Sequence, residues 1–119
     1  METITYNDAI EIIKDISNKD KIQFFLLKLA SCPFCDEWLK NNLKEVQENV
    51  GADFDMYAVE CDTCNMPFPP LSSPTLYFYH KNFTQPFIRQ GFMPALETCH
   101  ELKKFIRIKN GESYEFVFQ

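Results

Sequence analysis

Residues 22–35 run IQFFLLKLASCPFC. Apart from Gln23 and Lys28, the first eight are apolar. A continuous run of that length fits a strand covered on both faces, as in a parallel sheet, better than a half-exposed strand with alternating polarity. The run leads directly into Cys32-Pro33-Phe34-Cys35, and beyond it Leu39, Leu43, Val46 and Val50 recur at helical spacing. Asp36 and Glu37 suit the positive end of that helix, and Gly51 is placed to stop it. The two cysteines therefore stand between a buried strand and a helix N-terminus. There, unpaired backbone N–H groups and the helix dipole favour thiolate over thiol. The thiolate is the attacking species in disulfide exchange. A second thiol three positions on, within the first helical turn, can attack the mixed disulfide that the first one forms.

Working outward, residues 4–6 predict a short strand. Asp8 is a candidate helix cap, with Glu11 three residues on, and Ala9, Ile12, Ile13 and Ile16 give that helix one apolar face. Residues 54–59, FDMYAV, read as the next strand. Cys61-Asp62-Thr63-Cys64 and a proline-rich connection, 67–74, follow. Residues 75–79, TLYFY, are β-branched and aromatic and predict a strand. Lys81-Asn82 turns the chain into a second run, 83–89, which Pro86 demotes to an edge strand. Ala95, Cys99, Leu102 and Ile106 form a last helical stripe. Tyr114, Phe116 and Phe118 alternate in the tail and predict an extra C-terminal strand. The order β-α-β-α-β-β-β-α-β implies an α/β fold: a central mixed sheet with helices on both faces, in a single domain over 1–119.

The composition removes several classes of function. The 119 residues carry 12 basic and 17 acidic side chains, a formal net charge of −5. Phosphate-neutralising nucleic-acid binders usually carry a basic excess, so no nucleic-acid partner is expected, and the aromatic run Tyr77-Phe78-Tyr79 reads as core rather than as a base-stacking platform. No apolar run approaches the roughly 20 residues that span a bilayer, so no membrane partner is expected. Residues 1–8, METITYND, lack the basic and apolar regions of a signal peptide, which predicts a cytoplasmic protein. Five cysteines in such a chain point to reactive, metal-bound or free thiols rather than to a disulfide scaffold.

With these elements in place, the chain resembles the thioredoxin-like superfamily over most of its length, as a divergent thioredoxin- or glutaredoxin-type protein. The resemblance rests on the strand-Cys32-Pro33-Phe34-Cys35-helix unit, on Ser73-Pro74-Thr75 leading a strand, and on Gly91 before the final helix. It implies thiol–disulfide exchange, with Cys32 as nucleophile and Cys35 as resolving thiol. It also implies substrate binding along Pro33, Phe34, Ser73 and a cis Pro74. Protein disulfides are the implied substrates. No bound cofactor is needed, and the electrons come from a separate reductase or thiol pool. The Pro-Phe dipeptide is similar to the glutaredoxin type. Ser31 stands where thioredoxins usually carry Trp, Leu26 stands where they bury an acid, and 90–93, QGFM, differs from the Gly-Gly-Cys-Asp type segment of glutaredoxins.

Two other readings stay open on the residues alone. One is a redox-inert binding module on the same fold. The other is a zinc-stabilised domain, because Cys32, Cys35, Cys61 and Cys64 form a CxxC…CxxC set that could hold the metal tetrahedrally. If no metal is held there, Cys61 and Cys64 are candidates for a second redox pair. Of the remaining candidates, Cys99 falls on an apolar stripe and reads as a buried small hydrophobe. His80 reads as a loop-tip residue and His100 as solvated. Trp38, three residues after Cys35, either shields the site or packs on the sheet.

Overall fold

The computed structural model describes residues 1–28, 33–60, 75–91 and 93–118. The strands are β1 (Glu2–Ile4), β2 (Ile22–Lys28), β3 (Phe54–Glu60), β4 (Thr75–Tyr79) and β5 (Phe87–Gln90). The helices are α1 (Tyr6–Lys14), α2 (Pro33–Asn41), α3 (Leu43–Val50), α4 (Ala95–Lys109) and α5 (Tyr114–Val117). The strands form one sheet in the order β1-β3-β2-β4-β5. β1, β3 and β2 are parallel, and β4 and β5 run antiparallel to their neighbours, so the sheet is mixed as expected.

β2 is central, and its composition follows from that position. Ile22, Phe24 and Leu26 point into one core with Trp38 of α2, Val46 and Val50 of α3, and Cys99, Leu102 and Phe105 of α4. Phe25 and Leu27 point into a second core with Ala9 of α1, Val59, Tyr77 and Tyr79. Helices thus cover both faces. Residues Ile22 to Leu27 are all at most 1 % exposed, which is why the run shows no polar alternation. The buried amide of Gln23 is held by donating to the Lys21 carbonyl (3.0 Å) and to Asp55 Oδ2 (2.9 Å), its register neighbour on β3.

The first strand spans Glu2–Ile4 rather than 4–6, with Tyr6 already opening α1, and the edge strand β5 spans Phe87–Gln90 rather than beginning at 83. Four further local expectations are corrected. The first helix is capped by Thr5, not Asp8. Asp8 is the third helical residue and closes a reciprocal capping box, its backbone N–H donating to Thr5 Oγ1 (3.1 Å) and its carboxylate accepting from the Thr5 N–H (3.3 Å). The helix expected from Cys35 to Val50 bends at Asn42 into α2 and α3, and Gly51, at φ −58°, passes into a 3₁₀ turn rather than taking a left-handed cap. His80 is not at a loop tip but buried, 5 % exposed. Its Nδ1 accepts the Asn82 N–H (3.0 Å), so its Nε2 carries the proton and donates to the Asp20 carbonyl (3.1 Å).

The fourth correction concerns the tail. The C-terminal strand is absent; residues 114–117 form the single turn α5, capped by Ser113, whose hydroxyl accepts the Phe116 N–H (3.2 Å). A helical turn brings Tyr114 and Phe118 together (ring centroids 4.9 Å) and against Phe87, while Phe116 points away and is 61 % exposed. A strand would have put all three on one side, and among the described residues the edge strand β5 takes no further partner.

Candidate active site

Lys28 of β2 lies opposite Glu60 of β3, so these parallel strands end at the same edge of the sheet. β4 starts at that edge, with Thr75 opposite Leu27 on one side and Gln90 of β5 on the other. Gly91 follows at φ +86°, a left-handed conformation that glycine adopts without steric cost. The carboxyl ends of parallel strands are where α/β sheets place their sites.

Cys35 sits at this edge. It is the third residue of α2, after a proline at the first helical position, where the missing N–H costs no hydrogen bond. The Cys35 side chain is fully buried. Its Sγ lies 3.9 Å from the Leu27 carbonyl oxygen, near the end of β2. The sulfur is disulfide-bonded, and its partner lies outside the described residues. Reduction would leave a thiol that can donate to the Leu27 carbonyl, a long but permissible contact for sulfur.

Trp38, one turn further along α2, is fully buried against Phe24, with ring centroids 6.0 Å apart. It is therefore a floor of packed hydrocarbon beneath the turn that holds Cys35. Its indole N–H has no hydrogen-bond partner among the described residues. Leu26 is fully buried in the same core.

Two features of the site were not expected from the sequence. Lys28 Nζ is 2.7 Å from Asp36 Oδ1, an ion pair that ties the end of β2 to the first turn of α2. Its signal was a lone cation at the end of an apolar strand. Asn42, 5 % exposed, donates from Nδ2 to the Met93 carbonyl (2.8 Å) and so ties the bend between α2 and α3 to the segment entering α4. The Thr98 hydroxyl donates to the same region, to Pro94 O (3.0 Å). Here the signal was one amide on an apolar helical stripe.

Cys99 matches its reading. It is a free, buried thiol in the core of α4, and burial first, then the charge of Glu45, pushes its pKa up, away from reactivity. His100 is exposed. Cys32, Cys61, Cys64, Ser73 and Pro74 lie outside the described residues, and with them the expected cis peptide bond and the second cysteine pair; nothing is described of the Pro33 and Phe34 side chains. Among the described residues no group of three or more His, Cys, Asp or Glu is placed to hold a metal, and no helix is long and apolar enough to cross a membrane.

No protein-family model and no curated protein sequence matches the chain. Solved structures do. Chloroplastic thioredoxin z superposes with a TM-score of 0.69 at 18 % identity, covering 93 % of this chain and 96 % of that one. The oxidised C-terminal domain of DsbD from Neisseria meningitidis gives 0.66 at 12 % identity, covering 86 % and 97 %. A thioredoxin from Thermus thermophilus gives 0.65 at 19 % identity, covering 93 % and 90 %. At these identities the likeness is one of fold, and it agrees with the sheet order, the mixed strand directions and the helix that begins beside Cys35. The chain has a thioredoxin-like fold.

Proposed function

We propose that the protein is a thiol–disulfide oxidoreductase that reduces or exchanges disulfides of other proteins through Cys32 and Cys35. The observation that carries this reading is Cys35 itself: a buried, disulfide-bonded sulfur in the first turn of a helix, against the end of the central strand of a thioredoxin-like sheet. A sulfur in a disulfide cannot serve as a thiolate ligand, which favours redox chemistry over the zinc reading.

In the reducing direction the Cys32 thiolate attacks one sulfur of the substrate disulfide. A mixed disulfide forms and the other substrate sulfur leaves as thiolate. Cys35 then attacks Cys32, its proton passing to a departing substrate thiolate, and the substrate leaves as a dithiol while the protein becomes a disulfide. Two electrons have moved, and a separate reductase or thiol pool returns them. With Leu26 in place of a buried acid, no carboxylate from that position takes the Cys35 proton. Substrate would lie along Pro33, Phe34, Ser73 and a cis Pro74. Support comes from β4, whose first residue, Thr75, is paired with Leu27, the residue whose carbonyl faces Cys35 Sγ.

Cys61 and Cys64 complete the proposal as a second redox pair. Cys61 is the residue after β3, which ends level with β2 at the same edge. Counting free thiols in the oxidised, unfolded chain tests this: one remaining thiol, Cys99, supports two disulfides, and three remaining thiols remove the second pair. For the main proposal the test is capture. Cys35→Ser should hold substrate proteins as mixed disulfides on Cys32, and the double variant Cys32→Ser/Cys35→Ser should hold none. Equal capture by both would overturn it.

A further inference from the structure

The chain carries two arginines, Arg89 and Arg107, and both are held in the same way. Arg89 donates from Nε to Glu101 Oε1 (2.8 Å), and its Cζ lies over the Phe105 ring, 5.1 Å from the centroid. Arg107 donates from Nε and Nη2 to the Glu112 carboxylate (2.8 and 2.9 Å), and its Cζ lies over the Phe116 ring, 5.7 Å from the centroid. Each time a carboxylate takes the hydrogen bonds of the planar cation and an aromatic face takes its flat side.

A third carboxylate stands beside aromatic rings with no cation of its own. A pocket of about 410 Å³ lies between the turn from β4 to β5 and α5, lined among others by Asn82, Phe83, Gln85, Phe87, Tyr114 and Glu115. Phe83 meets Phe87 edge-on (ring centroids 4.8 Å), and Tyr114 lies nearly parallel to Phe87 (5.9 Å, 12°). Tyr114 is 56 % exposed, so ring surface is open to a ligand. Glu115 is the one charged residue in the lining, and among the described residues it forms no ion pair. Asn82 donates from Nδ2 to the Lys109 carbonyl (2.7 Å), which leaves its Oδ1 as an acceptor. Negative charge, acceptors and ring faces together complement a guanidinium, which carries donors only.

We propose that this pocket receives an arginine side chain of a partner protein. Both arginines of this chain are already engaged, so a second copy has none to offer and the partner is a different protein. A lysine fits less well, because its ammonium is more strongly hydrated and has no flat face to lay on a ring. β4 starts at the cysteine edge with Thr75 and ends at Tyr79, and β5 returns from Phe87 to Gln90, opposite Thr75. The pocket is therefore at the other edge of the sheet, and a partner docked there leaves the cysteine edge free. The inference goes beyond the oxidoreductase reading and does not rest on it.

The probe is the blocked tripeptide acetyl-Gly-Arg-Gly-amide, titrated into the full chain while the backbone amide resonances are followed by NMR. The expected result is a saturable shift at residues 82–87 and 114–115 and none at Lys28, Glu60 or Thr75, with a dissociation constant on the order of 1 mM for a ligand of this size. Glu115→Gln should weaken binding about two- to fivefold, as for an exposed ion pair, and Glu115→Lys should remove it. Both changes fall on an exposed side chain and leave the core untouched. The lysine tripeptide should bind several-fold more weakly, and the citrulline tripeptide, which has the shape without the charge, should not bind. No saturable shift, equal binding of the lysine or citrulline peptide, or unchanged binding by Glu115→Lys would overturn the proposal. Tighter binding of free L-arginine than of the blocked peptide would overturn it in favour of a small-molecule ligand. Cys32→Ser/Cys35→Ser should bind the peptide as the wild type does, so that this reading and the dithiol reading fail separately.

Discussion

Replacing Trp38 separates the packing contribution of the site's floor from that of its polar atom. The indole is fully buried against Phe24 and carries an N–H without a partner among the described residues. Trp38→Ala removes the whole ring system and leaves a cavity, and such truncations cost about 3–5 kcal/mol. Trp38→Phe removes the smaller part of it. At about 25 cal/mol per Å², roughly 50 Å² of lost apolar burial costs about 1.2 kcal/mol. Against this, removing a buried, unpaired N–H returns about 1–3 kcal/mol. Trp38→Phe should therefore lie between about 0.2 kcal/mol below and about 1.8 kcal/mol above the wild type, and roughly 3 kcal/mol or more above Trp38→Ala in stability. The assay is equilibrium denaturant unfolding of the oxidised proteins followed by far-ultraviolet circular dichroism, since Trp38 is the only tryptophan. A Trp38→Phe cost as large as that of Trp38→Ala would show that the indole N–H is bonded and that the floor has been misread.

The other expectations concern single residues. Burial is the main cause that lowers the pKa of His80 below that of a free histidine; the Asp20 carbonyl opposes it, and Lys109 and Lys81 reinforce it. Because the unfolded chain then binds the proton more readily, the contribution of His80 to stability is complete above about pH 6.5, is lost as pH falls from there through the lowered folded value, and is constant below it. The difference in unfolding free energy between the wild type and His80→Gln should accordingly shrink over that window on acidification; a difference that grows would reverse the assignment. Gly91→Ala meets open space but forces a side chain into φ +86°, so it should cost about 1–2 kcal/mol from backbone conformation alone, measured by denaturant unfolding. Cys32→Ser should abolish reduction of protein disulfides, whereas Cys35→Ser should permit the first attack and stall; faster alkylation of Cys35 than of Cys32 in the reduced protein would exchange their roles.

What was legible in the sequence is what depends on burial over short range. β2 announces itself because both of its faces are covered, and the helix beginning at the cysteines follows from its stripe and its acidic first turn. The alternation of strands and helices then leaves few topologies. Where readings went astray, partners distant in sequence or competing local options decided. Thr5 and Asp8 are both cap-forming residues three apart, and only the reciprocal pair of bonds distinguishes the cap from the third helical position. His80 can be buried because the carbonyl of Asp20, sixty residues earlier, accepts a hydrogen bond from its Nε2–H. The alternating aromatics of the tail satisfy a strand and a helical turn equally well until Phe87 and Phe105 are in place to receive Phe118. Of the site, Cys35 was legible and the Lys28–Asp36 and Asn42–Met93 ties were not, since each joins two elements whose ends meet only in the folded chain.

The most direct test of the dithiol is an equilibrium redox titration of the full chain in thiol–disulfide buffers. The readout is Trp38 fluorescence, three residues from Cys35, with alkylation and mass analysis to count the thiols. The account predicts a two-electron transition that protects Cys32 and Cys35 together on oxidation and is abolished by Cys32→Ser and by Cys35→Ser. Cys32 and Cys35 that both remain open to alkylation across the whole range would contradict it.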